Sequence, residues 1–283
     1  MWEPIKELLM SLMTSALGGF DDVVADAADV LCGNGIDAVW SQAVALSQNL
    51  RGFCYTIIAL CMMIEIANVA SKVDIIKFEH GLKLAVKMCL AKVFIDIAPT
   101  LLLAIYRQAQ GWISSFTTVS SLGSSCLVKL EPLVDSLSGL GGILGIFLST
   151  FIVLLAIKIC GLMVMVMAYG RIFEVLVYVV VSPIPCAFFP LGNGDGGGFS
   201  RTTAKFIRSF AAVCLQGVMM MVVLQLFNVI IGTALDGVIS SVSTDEVNSA
   251  ITNLIYTMLL GSVSLVMAIT KCGSWAKGIL DAM

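Results

Sequence analysis

Long apolar runs separated by short polar punctuation dominate the chain, with neither the two-residue alternation of half-buried strands nor the narrow stripe of a surface helix. The longest run, 143–170, has Lys158 as its one charged residue and is closed by Arg171. As a helix rising about 1.5 Å per residue it reaches about 40 Å, more than the roughly 30 Å of a hydrocarbon core. This predicts a tilted membrane span. A second apolar stretch, 172–189, follows at once and is interrupted by Ser182, Pro183, Ile184 and Pro185 before Pro190 and a glycine-rich turn. Prolines one residue apart remove two backbone donors and disfavour αR in the residue before each, so a helix break is expected at Pro183 and Pro185. At membrane depth a break is tolerated only where protein buries it or water reaches it.

The same reading places further spans at about 52–70, 84–106, 209–235 and 251–270. The expected fold is an all-α polytopic membrane protein: about five full transmembrane helices within 51–270, one proline-broken or re-entrant segment at 172–189, and an N-terminal amphipathic helix. That helix is marked by Ile5, Leu8, Leu9, Leu12 and Met13 on one face, with Gly18 and Gly19 expected to end it. Residues 1–50 carry Asp21, Asp22, Asp26, Asp29 and Asp37 and a Gly33-Asn34-Gly35 turn, with no Lys or Arg after Lys6, which favours the outer side. Lys72, Lys77 and Lys83, then Arg201, Lys205 and Arg208, and finally Lys271 and Lys277 mark inner ends, making 271–283 a cytoplasmic tail. Two inner anchors need an even number of crossings between them, so 172–189 is the segment expected to dip in and return. Trp2, Trp40, Trp112 and Trp275 fall outside the span centres, where interfacial rings belong.

Composition agrees: 59% of the 283 residues are hydrophobic and 12% charged, against roughly 25% charged in soluble domains. The net charge of -3 says little, because membrane orientation follows local Lys and Arg. The first residues lack the basic region and small-residue cleavage site of a secretory signal, so membrane entry is expected through the first span. Of nine cysteines, Cys54, Cys61, Cys89, Cys160, Cys186 and Cys214 sit in apolar runs as small hydrophobes. Cys32 and Cys126, in turn-like outer surroundings, are the candidate disulfide. With one histidine, His80, and no Cys/His spacing for a metal, neither a metal nor a cofactor is expected. The loop 191–200, LGNGDGGGFS, lacks the Lys-Ser/Thr of a phosphate-binding loop. No catalytic residues are assigned, and the chain is not expected to be an enzyme.

What remains is an unusual load of charge in the spans: Glu65, Lys87, Lys92, Asp96, Lys158 and Glu174. Lys92 and Asp96 are i,i+4 neighbours, Lys87 falls at the level of Glu65 across a hairpin, and Asp96 is the best depth match for Lys158. Such residues either line a polar path or form buried pairs that fix helix register. Gly141 and Gly145 form a small-residue face, and Asn253, Thr257, Gly261 and Ser264 a small polar stripe, for packing within one protomer or between copies.

Two stretches, RIFEVLVYVVVSPIPCAFFPLG and GGFSRTTAKFIRSF, resemble the TrbL-type polytopic inner-membrane subunits of conjugative type IV secretion systems, nearest the version in Gram-positive integrative conjugative elements. The resemblance is drawn over roughly 142–270, the first 140 residues matching in topology. It implies a non-enzymatic channel or scaffold subunit, homo-oligomeric and multi-pass in the cell membrane, with amino end outside and carboxyl end cytoplasmic. The implied partners are lipid, the other type IV secretion membrane subunits and ATPases, and translocated single-stranded DNA with its attached protein. Five spans in one short chain leave little room for a conduit, which points to a ring of copies. A secondary transporter stays open, since it too uses broken helices and buried charge, although no second broken segment stands where an inverted repeat would put one.

Overall fold

A computed structural model describes residues 3–33, 36–72, 78–116, 140–188, 201–240 and 247–281. They form α1 (Glu3–Cys32), α2 (Ile36–Lys72), α3 (Phe78–Phe116), α4 (Leu140–Val181), the one-turn α5 (Pro183–Ala187), α6 (Arg201–Ser240) and α7 (Val247–Asp281), with no strand among the described residues. Five stretches are long and apolar enough to cross a membrane: Ala38–Ala67, Ala85–Phe116, Phe147–Ala187, Thr202–Ala234 and Ile255–Leu280. The protein is an all-α, multi-pass membrane protein.

Several boundaries move from those expected. Helix α1 runs through Gly18 and Gly19 to Cys32. Glycine within a helix costs about 1 kcal/mol relative to alanine, but Gly19 is buried where a Cβ would fall 2.7 Å from Lys158 Nζ. The expected turn begins at Gly33, whose φ of 77° suits glycine. The polar residues before Gly52 belong to α2 itself, so Arg51 stands inside the first span. Helix α3 likewise runs on past Arg107 to Phe116, over Pro99.

The largest correction concerns 172–189. Arg171 does not close a helix: α4 continues for 42 residues to Val181, about 63 Å at the α-helical rise. The break falls at Ser182, and one further turn ends the element. With 172–181 in the same helix as 143–170, the candidate spans among the described residues between the two Lys/Arg-rich ends are those of α3 and α4, an even count without a re-entrant segment.

By contacts the chain divides into two compact units, the first comprising Met1–Cys32, Gly111–Gly170 and Gln216–Trp275, the second Gly33–Gln110, Arg171–Leu215 and Ala276–Met283.

In the first unit, α1 and α4 run parallel, Lys158 Nζ lying over Gly19 and Val23 over Gly161. Helices α6 and α7 run antiparallel, with Ile231 and Phe227 over Gly261 and Gln216 over Gly273. Between helices in lipid, association rests on close van der Waals packing, for which glycine notches are suited. Met220, Met221, Leu224, Leu265 and Ile269 are among its fully buried side chains.

In the second unit, α2 and α3 form an antiparallel hairpin. Trp40 stacks on Tyr106 at 5.6 Å and 19°; Arg51 meets Asp96, and Glu65 meets Lys87. Trp40 is buried there at the start of its span, whereas Trp112 and Trp275 are exposed. Helix α5 presses Cys186 and Ala187 into a cluster with Cys54 and Ile58 of α2 and Ala91, Ile95 and Ala98 of α3. Tyr178 of α4 packs on Phe206 and Phe210 of α6, at 5.5 and 6.0 Å.

Candidate functional site

The second unit concentrates charge along the α2–α3 seam. Arg51 sits near the middle of Ala38–Ala67, one turn before Tyr55, and Asp96 lies inside Ala85–Phe116. A single carboxylate oxygen, Asp96 Oδ1, accepts from Arg51 Nη1 and from the Tyr55 hydroxyl, each at 3.3 Å. The contact uses one guanidinium nitrogen, so the fork geometry that makes arginine–carboxylate pairs strong is absent. Arg51 Nε is buried with no partner among the described residues. Side-chain exposure is 24% for Arg51 and 42% for Asp96, so one side of the pair opens onto the surface of the protomer. Nearer the span ends, Lys87 Nζ donates to Glu65 Oε1 at 3.4 Å, and Glu65 is the better covered of the two.

Of the expected pairs, the structure places Lys87 on Glu65 but does not bring Asp96 to Lys92 or Lys158. The Asp96 carboxylate turns across the hairpin to α2, where Arg51 and Tyr55 take it. Neither lysine makes an ion pair with a described residue, and both are exposed. Glu174 accepts from Arg171 Nη1 at 2.7 Å one turn earlier on α4. Arg51 was the residue missed, because a charge at the edge of the strongest apolar window looks like a boundary. Its i,i+4 spacing to Tyr55 and its antiparallel register with Asp96 were the available signals.

The helix break is closed locally. Pro183 and Pro185 carry no N–H, and Pro183 takes the first position of α5, where none is needed. The Ser182 amide and hydroxyl both donate to the Val179 carbonyl, at 3.4 and 2.8 Å. Thr203 Oγ1, from the start of α6, donates to the Pro185 carbonyl at 2.9 Å. Side-chain hydroxyls thus replace the lost ladder, as irregular backbone at membrane depth requires.

The small-residue faces divide. Gly261 is buried, and a Cβ there would fall 2.5 Å from Ile231 Cδ1, so this part of the stripe packs inside the protomer. Asn253 and Ser264 are exposed, and Thr257 is half-buried with its hydroxyl on the Asn253 carbonyl at 2.8 Å. Gly141 lies in the first turn of α4, while Gly145 is exposed with nothing within 4 Å of a Cβ. Cys126, and with it any pairing to Cys32, lies outside the described residues. Burial, with Asp29 adding, pushes the Cys32 thiol up. No group of three His, Cys, Asp or Glu able to hold a metal occurs among the described residues.

The sequence model of the TrbL/VirB6 plasmid conjugal transfer like protein family matches residues 38–183. The chain belongs to this family. The TrbL/VirB6 match begins within the first turn of α2 and ends at the proline break, so it takes in Arg51, Glu65, Lys87, Lys92, Asp96, Lys158 and Glu174. It covers the α2–α3 hairpin, which the local wording had matched only in topology, and stops short of α6 and α7. No curated protein and no solved structure matches the chain. As a TrbL/VirB6 member it is a membrane component of conjugal transfer.

Proposed function

We propose that the chain is a non-enzymatic channel or scaffold subunit of a conjugative type IV secretion machine. Copies assemble as a ring in the plasma membrane with the other membrane subunits and ATPases, and single-stranded DNA with its attached protein passes through the assembly. The amino end is placed outside and the carboxyl end in the cytoplasm.

The observation that carries this reading is the Arg51–Tyr55–Asp96 cluster, a charged group near the middle of a span and open on one side. A charged side chain facing lipid at mid-span costs at least about 3 kcal/mol. Protein or water must therefore cover the seam, and a ring of copies around a wet path supplies both. The exposed Asn253 and Ser264 on α7 are faces for contact between copies. Against a proton- or cation-coupled transporter stands the closure of the carboxylates in the spans: Glu65, Asp96 and Glu174 each hold a cation of their own chain.

The test is deletion of the gene in a donor strain. Loss of DNA transfer restored by the wild-type chain, with solute uptake unchanged, is expected. Transfer that continues without the protein overturns the reading, and uptake by the purified protein in vesicles favours the transporter.

A further inference from the structure

The helices of the first unit do not turn like faces outward. Leu155, Leu162 and Val166 of α4, Ile230 of α6, and Leu260 and Met267 of α7 are each more than half exposed, as on helices that stand in lipid. Helix α1 is the exception. Its outward face carries Glu7, Ser11, Ser15, Asp22, Asp26 and Asp29, all exposed, at steps of three, four or seven residues that keep them on one line along the helix.

An amphipathic helix of this kind can lie flat on a membrane surface, but the packing of α1 places it deeper. Helix α1 runs parallel to α4, with Lys158 over Gly19 and Val23 over Gly161, contacts about 17–21 Å along the span that begins at Phe147. Cys160 donates to the Ser262 carbonyl of α7, so the outward, apolar Leu162 and Leu260 stand at that same level. Asp22, Asp26 and Asp29 follow Gly19 within about three turns, still alongside the apolar run of α4.

Carboxylates at such a depth face protein or a water-filled cavity, because facing lipid is costly. Lys158 points to water. It is the one charged residue of the run 143–170, and its ammonium extends from α4 to lie over Gly19, one turn from both Ser15 and Asp22. A long lysine stem packs along apolar surface and carries its head to the wet side.

We infer that α1 is embedded in the membrane beside α4 and that its acid and hydroxyl stripe is the wall of a water-filled crevice, into which Lys158 also reaches. Within this unit the α1 side is wet, and the outward faces of α4, α6 and α7 meet lipid. The inference rests on the membrane placement of the unit and not on the proposed role in transfer; it holds for one protomer and for a ring alike.

The test uses the full chain in native membranes opened to both sides. Cysteines are introduced one at a time and labelled sites are read by peptide mass spectrometry, so the native cysteines stay in place. One probe is a sulfonated, lipid-insoluble maleimide; the other is a phospholipid with a photoreactive diazirine in its acyl chain. Ser11→Cys, Ser15→Cys and Ala25→Cys are expected to take the maleimide at least about tenfold faster than Leu155→Cys, Leu162→Cys and Leu260→Cys, because removal from water raises a thiol pKa by a unit or more and the thiolate is the nucleophile. The lipid probe should mark α4 and α7 around Leu162 and Leu260 and spare the stripe. Docking is read separately. A Cβ at Gly161 would lie 3.6 Å from the Val23 Cβ, within the roughly 3.5–4.5 Å of a disulfide, so Val23→Cys with Gly161→Cys should cross-link on mild oxidation. Maleimide labelling as fast at Leu155, Leu162 and Leu260 as along the stripe would stand the whole unit in water and overturn the inference. Slow maleimide labelling of the stripe, or its capture by the lipid probe, overturns it too, as does a Val23–Gly161 pair that stays reduced in a chain inserted at wild-type levels. None of these readings involves DNA transfer, so a failed crevice leaves the proposed function to the deletion experiment.

Discussion

The α1–α4 and α6–α7 crossings of the first unit are closed by glycine, and the α2–α3 crossing of the second is closed by charge. In the first, Val23 and Ile231 enter notches at Gly161 and Gly261 where a Cβ would fall 2.6 and 2.5 Å from a methyl group. In the second, Arg51–Asp96 and Lys87–Glu65 tie the hairpin, and α5 fills it with Cys186 and Ala187. Lipid tails are as apolar as leucine, so neither unit gains much from hydrophobic burial between helices. Shape does the work in one and ion pairing in the other. A shape contact fails when volume is added, whereas an ion pair fails when one partner is removed and the other is stranded. Substitutions should therefore sort by unit.

The largest effect is expected from Gly161→Leu. The atom in the way belongs to Val23, a β-branched side chain with little rotamer freedom, and overpacking such a contact costs about 3 kcal/mol. Helix α1 should be displaced, lowering the thermal midpoint in detergent and speeding proteolysis within α1. Val23→Ala should recover most of the loss in the double variant, since it empties the same volume. An unchanged midpoint for Gly161→Leu would break the account of the first unit. Gly19→Ala is the internal control: the obstructing atom is the far end of Lys158, which can swing aside, so its effect should be much smaller.

These contrasts also mark what could be read from residue order. Apolar length was enough for the five membrane helices, and the hairpin register was visible in Glu65 and Lys87. The notches were not, because glycine spacing alone does not say which side chain enters. Gly18 and Gly19 look like a helix stop, and the close approach of Lys158 on α4, which gives Gly19 a packing role inside the helix, is not visible in residue order. The proline pair correctly marked a break, but Ser182 and Thr203 supply the hydroxyls that reduce it to the end of a long helix. Arg51 was hidden because hydropathy trims a charged residue from a span unless its counter-ion is known.

The next effect belongs to the second unit. Asp96→Asn leaves Arg51 without its counter-charge. Stranding a buried ion costs about 3–5 kcal/mol, and because Asp96 is 42% exposed we expect the lower end or less, about 2 kcal/mol. Arg51→Gln should cost a similar amount. The double variant should fall well short of the sum, with a coupling of at least about 0.5 kcal/mol in a thermal-denaturation cycle. Strict additivity would mean that the pair does not hold the hairpin. Tyr55→Phe removes the second donor to the same oxygen and should cost about 1 kcal/mol, the worth of a typical hydrogen bond.

The smallest effect is expected at Lys87 and Glu65, and it separates charge at the span end from charge at its middle. Both are ion pairs of the same hairpin, but Lys87–Glu65 stands at 3.4 Å with the lysine side chain 36% exposed. Near a span end a stranded lysine reaches interfacial water along its own stem. Lys87→Gln should therefore cost less than about 1 kcal/mol, as for solvent-screened pairs, and added salt should shrink the difference from wild type. At Arg51–Asp96 the same salt series should change little in detergent, because the pair lies near the middle of its spans, under the detergent belt and away from the bulk electrolyte. The readout is the thermal midpoint of each variant relative to wild type at low and high potassium chloride. Equal salt sensitivity at the two pairs would place both at the same depth and remove the distinction between them.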